Sequence, residues 1–255
     1  MLGIAKVFRE FRFGNRAPVR VLVFHDVQDG AWFQKSIECI KEYYHIVSPT
    51  DFLHGIFDAS KINVLITFDD GYASWVDMCL PILRQQNVEA LFFVNSGLID
   101  TYGREYLQSP YVRTRLMLSP RKTLSWDGVR ALAQAGHTIG GHTTTHARLA
   151  ELQEGMQREE IKNDKARIEK MTGKEISTFA YPFGQAKDFT EATEKIVQEV
   201  GYTHAFTTEG VFVDFKNTFT ISRLCVEDGQ SIVRLRQWIE GGYDVYHKIK
   251  SLCVR

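Results

Sequence analysis

Short apolar runs alternate along this chain with longer stretches whose apolar residues recur every three to four positions. Residues 19–24 form a β-rich run ending at His25-Asp26, and 31–44 follow with helical spacing through Phe33, Ile37, Ile40 and Tyr44. Residues 64–68 form a second buried-strand candidate that stops at Asp69-Asp70-Gly71. A helix is expected over about 74–86 and a strand over 90–94. Trp126 to Ala135 reads as a helix, with Ser125 as its N-cap and Gly136 just past its end. His137-Thr138-Ile139-Gly140-Gly141 leads as a strand into His142. Residues 152–171 predict a long amphipathic helix stopped by Gly173, and 178–181 a strand ending at Pro182-Phe183-Gly184. A helix over about 190–199 and a strand over 203–206 continue the alternation.

Alternation of this kind argues for a parallel sheet with right-handed crossovers, and the number of units favours an α/β barrel. Barrel enzymes gather their chemistry at the C-terminal ends of the strands. His25, Asp69, Asp70, His142 and His146 all stand at or just after such an end. Residues 98–123 are long for a simple connection and are read as a lid or groove-forming insertion. There is no repeat, linker or low-complexity tract, so residues 1–255 are read as one catalytic domain.

Composition narrows the function by exclusion. Lys+Arg and Asp+Glu both number 31, so net charge gives no argument for nucleic acid. Cys39, Cys79, Cys225 and Cys253 are scattered without a CxxC spacing, which points away from a disulfide framework and from a thiolate zinc site. The first residues lack an apolar signal core, and no apolar run is long enough to span a membrane, so a cytoplasmic location is the expectation.

Two adjacent carboxylates and two histidines four positions apart remain as candidate chemistry. A divalent ion held by Asp70, His142 and His146 keeps an open coordination position, which is the catalytic rather than the structural arrangement. It would lower the pKa of a water there and polarise a carbonyl oxygen. Neighbouring side chains diverge in extended backbone, so Asp69 can stand beside the ion as general base instead of joining its ligands. An isolated Asp-Asp-Gly would be a solvated turn; both motifs at strand ends favour a metal site. An amide hydrolase also needs an acid for the departing nitrogen, and His25 is the candidate.

Phe68-Asp69-Asp70-Gly71 and His142-Thr143-Thr144-Thr145-His146 resemble the first two motifs of the polysaccharide deacetylases, the NodB-homology group or carbohydrate esterase family 4. Ala180-Tyr181-Pro182-Phe183-Gly184 resembles a variant of the third. The resemblance covers about residues 19–202 and implies a distorted (β/α)7-type barrel that removes acetyl groups from N-acetylated sugars. It implies Asp69 as base, with Asp70, His142 and His146 holding zinc or a similar ion; cobalt, nickel and iron fit the same ligands. Two departures stand out. Ala180 and Phe183 occupy positions where the family has an Arg that orients the base and a Tyr. Arg223 is the candidate substitute for that Arg, and a main-chain N–H at Phe183 can still serve an oxyanion, because it does not depend on the side chain. The family's usual late Leu-x-His motif is also not evident, but residues 21–25 resemble the N-terminal histidine strand of the circularly permuted branch that includes exopolysaccharide poly-N-acetylglucosamine deacetylases, where the early His is the acid.

The expected substrate is therefore an N-acetylated hexosamine in a glycan or glycan precursor. Tyr181, Tyr72 and Trp126 are further candidates for substrate contact, along with Tyr102 and Tyr106, against the plainer reading of aromatic core packing. Other readings keep the site but change the substrate to a non-sugar amide or an O-acetyl ester, or make the chain a non-catalytic carbohydrate binder. Residues 2–16 form a basic amphipathic segment, and 243–255 carry Lys248, Lys250 and Arg255 beside apolar residues. These ends either cover the barrel or make peripheral membrane contact, which would suit a lipid-linked glycan precursor.

Overall fold

The computed structural model describes residues 18–100, 122–210 and 212–244. The basic segment at 2–16, residues 101–121 of the 98–123 insertion with Tyr102 and Tyr106, and residues 245–255 with Cys253 lie outside the described residues. The strands are β1 (Val19–Phe24), β2 (His45–Ile46), β3 (Asn63–Phe68), β4 (Leu91–Val94), β5 (Thr138–Gly141), β6 (Thr178–Ala180), β7 (His204–Phe206) and β8 (Leu224–Cys225). The helices are α1 (Gly30–Tyr43), α2 (Pro49–Leu53), α3 (Leu80–Gln86), α4 (Trp126–Gln134), α5 (Glu154–Thr172), α6 (Glu191–Glu199) and α7 (Ile232–Ile239).

Every pairing between these strands is parallel, in the order β7-β6-β5-β4-β3-β1-β8, with β2 lying on β3. The two ends of that row meet. Phe206 of β7 bridges Ile221 in parallel, and the Thr207 N–H reaches the Ile221 carbonyl at 2.8 Å, just ahead of β8. Seven strands therefore surround one interior, as expected for a distorted (β/α)7 barrel.

The strands are almost wholly buried because both of their faces are covered. Their period of two sorts side chains into two layers. Val19, Val21, Leu65, Leu91, Phe93 and Phe206 fill the barrel interior. Leu22, Phe24, Ile66, Phe68, Phe92 and Val94 face outward and pack under the helices, with Phe68 and Phe92 stacked at 4.5 Å. Arg20 also points outward, fully buried, where it pairs with Asp244 and so ties the chain beyond α7 to β1.

Two differences from expectation have simple causes. The helix expected over 74–86 is split into a π turn, Trp75–Cys79, followed by α3. Pro81 sits in the first turn of α3 and has no N–H to give, and the Leu80 N–H bonds back five residues to the Trp75 carbonyl. The elements β2, α2, β8 and α7 were not foreseen; all but α7 are five residues or fewer, too short to show a period. Among the described residues, no helix is long and apolar enough to cross a membrane.

Candidate metal centre and active site

The strand ends deliver the five expected groups to one face. Asp69 and Asp70 follow β3, His142 follows β5, His146 lies further along the same loop and His25 follows β1. Asp70, His142 and His146 are buried, and each offers a ligand atom within 4.8 Å of the others. The Asp70 Oδ1 atom is 3.4 Å from His142 Nε2 and 3.2 Å from His146 Nε2. Ligands around a tetrahedral zinc, at bonds of about 2.0–2.1 Å, stand about 3.3 Å apart. The observed separations match that value.

The His142 tautomer fits as well. Its Nδ1 lies 2.7 Å from the Ala180 carbonyl, an acceptor only, so Nδ1 carries the proton and Nε2 presents its lone pair. That Nε2 is buried without a hydrogen-bond partner. A buried imidazole nitrogen aimed at a carboxylate and a second imidazole is what a cation site requires. The Tyr72 hydroxyl donates to Asp70 Oδ2 at 3.3 Å and thereby orients that carboxylate. Tyr72 thus contacts Asp70 rather than offering an open ring face; it is buried.

Asp69 is held apart from this cluster by Arg223. The guanidinium forks onto both carboxylate oxygens at 2.7 Å, and both residues are buried. Its Nε donates to the Thr207 carbonyl at 3.1 Å, which fixes the fork. The bond spans 154 positions in the sequence and exists because the β7–β8 closure places Arg223 beside β3. Burial alone pushes the Asp69 carboxyl up. The Arg223 cation and its hydrogen bonds outweigh it and hold Asp69 below the usual carboxylate range. Asp69 Oδ2 stays 3.8 Å from His142 Nε2, adjacent to the three-ligand cluster. The His25 carbonyl accepts from Trp75 Nε1 at 2.8 Å, which anchors the end of β1 under the site.

The third motif contributes backbone. Phe183 adopts a positive φ of 63°, its carbonyl accepts from Thr208 Oγ1 at 2.6 Å, and its ring touches His146 at 4.8 Å. Gly184 follows with φ 70°, where a Cβ would come within 2.9 Å of the Thr208 backbone. Arg148 lies over the Phe183 ring at 4.2 Å and pairs with the buried Asp188, joining the loop after His146 to the loop carrying Phe183.

Two expected substrate contacts are placed elsewhere. Tyr181 points into the outer layer, stacked on Phe189 at 4.0 Å, and its N–H is bonded to the Phe206 carbonyl. The alternation of β6 sends Ala180 inward and its neighbours outward. Trp126 opens α4 and is buried under the helices. For both, core packing is the observed role.

Backbone strain at the site was invisible in the sequence. Of six non-glycine residues with positive φ among those described, four are Asp70, Thr143, His146 and Phe183. Such conformations cost about 1–3 kcal/mol each and persist only where the surroundings over-determine them. Asn95 supplies part of that constraint. Its Nδ2 donates to the carbonyls of His142 and Thr143, and the Gly97 N–H reaches the Thr144 carbonyl at 2.9 Å.

The polysaccharide deacetylase family model matches residues 58–205, more than half of the chain, and the chain belongs to that family. A candidate polysaccharide deacetylase of Bacillus subtilis, YxkH, is 26% identical over 182 residues, 71% of this chain and 57% of that protein. A peptidoglycan-N-acetylglucosamine deacetylase of Bacillus cereus is 28% identical over 145 residues, 54% of this chain and 44% of that protein. The chain spans about half the length of these curated relatives. Among solved structures, IcaB from Ammonifex degensii is similar with a TM-score of 0.72 at 21% identity, covering 89% of this chain and 98% of that one. The Streptococcus pyogenes deacetylase PplD, in complex with acetate, gives 0.71 at 19%, covering 88% and 98%. These likenesses show the shared barrel fold.

Proposed function

We propose that this chain is a metal-dependent hydrolase that removes the acetyl group from an N-acetylated hexosamine in a glycan or glycan precursor. The observation that carries the reading is the pairing of a buried three-residue cluster with a second, separately held carboxylate. Asp70, His142 and His146 supply the ligands, and Arg223 keeps Asp69 beside them. A non-catalytic binder needs no such spare base, and the missing family Arg at Ala180, which suggested a binder, has a functional counterpart in Arg223. Family membership and the peptidoglycan-N-acetylglucosamine deacetylase among the relatives support an acetylated amino sugar as substrate.

Asp70, His142 and His146 would hold the ion, and their separations fit zinc or a divalent ion of similar bond length. When bound, the ion supplies Lewis-acid polarisation of the acetamide carbonyl and a lowered pKa for water. Asp69 accepts the proton of the water that attacks the acyl carbon, with both of its oxygens oriented by Arg223. The Phe183 N–H donates toward the oxygen that gains charge at the tetrahedral stage. His25 protonates the amine as the carbon–nitrogen bond breaks, leaving acetate and a free amino sugar.

Acetate release from N-acetylglucosamine oligomers, by protein stripped of metal and then reloaded with zinc, cobalt, nickel or iron, tests this. Release restored by metal is expected. Stoichiometric metal binding with no release from these oligomers, but with release from O-acetyl esters or simple acetamides, would overturn the sugar-amide assignment.

A further inference from the structure

We infer that α5 is a clamp that sets the metal affinity of the site, with Asp164 and Glu160 as its two positioning residues. The inference rests on the reading of Asp70, His142 and His146 as metal ligands. Between His142 and His146 the backbone turns through positive φ at Thr143 (66°) and at His146 itself (58°). A threonine resists that region because its branched Cβ crowds the backbone, so the loop left to itself would relax. Relaxation would carry both imidazoles away from Asp70.

α5 opposes this from beneath the loop. Asp164 is fully buried and uses both oxygens on main chain. Oδ2 accepts the His142 N–H at 2.9 Å, and Oδ1 accepts the Ser96 N–H at 2.8 Å, so the ends of β5 and β4 are held to one carboxylate. One helical turn earlier, Glu160 accepts the Thr145 N–H and hydroxyl, each at 2.9 Å. The Glu160 carbonyl accepts the Thr144 N–H at 3.2 Å and the Thr144 hydroxyl at 3.1 Å. The two acids therefore grip the loop at His142 and at Thr145, on both sides of the strained Thr143. Neither acid is a ligand; each acts through the backbone that carries the ligands, as outer partners of metal sites do.

The chemistry of the two grips differs, and so should their variants. In Asp164→Asn one carboxylate oxygen becomes an NH2 facing a main-chain N–H, a donor against a donor. In Glu160→Gln the amide oxygen still accepts the Thr145 N–H, and the Thr145 hydroxyl can turn to accept from the new NH2. Zinc affinity would be measured by competition with a chromophoric chelator on metal-stripped full-length protein, with thermal unfolding of the metal-free forms in parallel. Asp164→Asn is expected to bind zinc about 10–100-fold more weakly. Glu160→Gln is expected to stay within about threefold of wild type, and Glu160→Ala to fall well below it. The Asp164→Asn loss should also shrink when measured in a Thr143→Gly background, because glycine removes the strain that the clamp resists.

Wild-type affinity in Asp164→Asn, or losses that simply add in the double variant, would overturn the clamp. Should Asp164→Asn fail to fold, equal affinities for Glu160→Ala and Glu160→Gln would overturn it instead. Wild-type protein that binds no zinc, or His142→Ala that binds as tightly as wild type, would sink the metal reading and the clamp with it. Those results are distinct from a clamp that fails while wild type binds normally.

Discussion

Arg223 and Asp69 show how much one side chain's geometry can decide. A lysine at 223 would keep the positive charge but offer a single point donor instead of a planar fork. The Asp69 carboxylate could then rotate, and misplacement of a reacting group by about 1 Å costs about 100-fold in rate. Arg223→Lys is expected to lower acetate release by roughly that factor while leaving zinc stoichiometry intact. Equal turnover in Arg223→Lys would show that the fork does not orient the base. At this scale the sequence was informative where residue types alone name the chemistry. Asp69, Asp70, His142 and His146 were visible because paired carboxylates and spaced histidines at strand ends have few other uses. Tyr181 and Trp126 misled because an aromatic beside a motif looks the same whether it faces the site or the core. The positive φ values at Thr143 and Phe183 left no trace in residue type, since neither is a glycine.

Among the elements, the longer ones were legible and the bridging ones were not. The α5 boundaries of Glu154–Thr172 lie within two residues of those expected, since the segment holds no Pro or interior Gly beyond its first turn and Gly173 closes it with φ 68°. Its buried stripe is Gln157, Ile161, Asp164 and Ile168. A carboxylate in register between Ile161 and Ile168 is a readable signal of a buried partner, and it was the available clue to Asp164. Of the two glycines before His142, Gly140 is fixed by Phe93 and Thr178, and Gly141 by the contact with Asp164 and with Tyr202. A Cβ on Gly141 would collide with the Tyr202 hydroxyl and stand 3.0 Å from Asp164 Oδ2. Gly141→Ala is therefore expected to destabilise the fold by about 1–3 kcal/mol through overpacking, read as a lower midpoint in urea. An alanine variant as stable as wild type would mean that α5 and β5 can separate freely.

For the molecule as a whole, the strand–helix alternation made the barrel legible, but its closure was not. β8 pairs over two residues, and Ile221 meets β7 through a single bridge. Nothing that short carries a period, yet it is what brings Arg223 to Asp69. The opposite end of the barrel carries a pH sensitivity. His137, 5% exposed at the start of β5, accepts the Ala90 N–H at its Nδ1, and burial together with the Arg84 cation holds its pKa down to about 4 from 6.5. The unfolded chain takes up this proton first as pH falls. The contribution is therefore complete above pH 6.5 and is lost between about 6.5 and 4, by at most about 3 kcal/mol. Urea unfolding across that range should show a shallower pH dependence in His137→Gln than in wild type. Identical slopes would place the acid sensitivity elsewhere.

The measurement that bears most directly on the site is bound zinc and acetate release determined on the same samples of wild type, Asp69→Asn and His142→Ala. Asp69→Asn should retain stoichiometric zinc and lose nearly all release, while His142→Ala should lose zinc and release together. Full turnover in Asp69→Asn would contradict the assignment of Asp69 as the base. Loss of zinc in Asp69→Asn would instead place Asp69 among the ligands and remove the separation on which this mechanism depends.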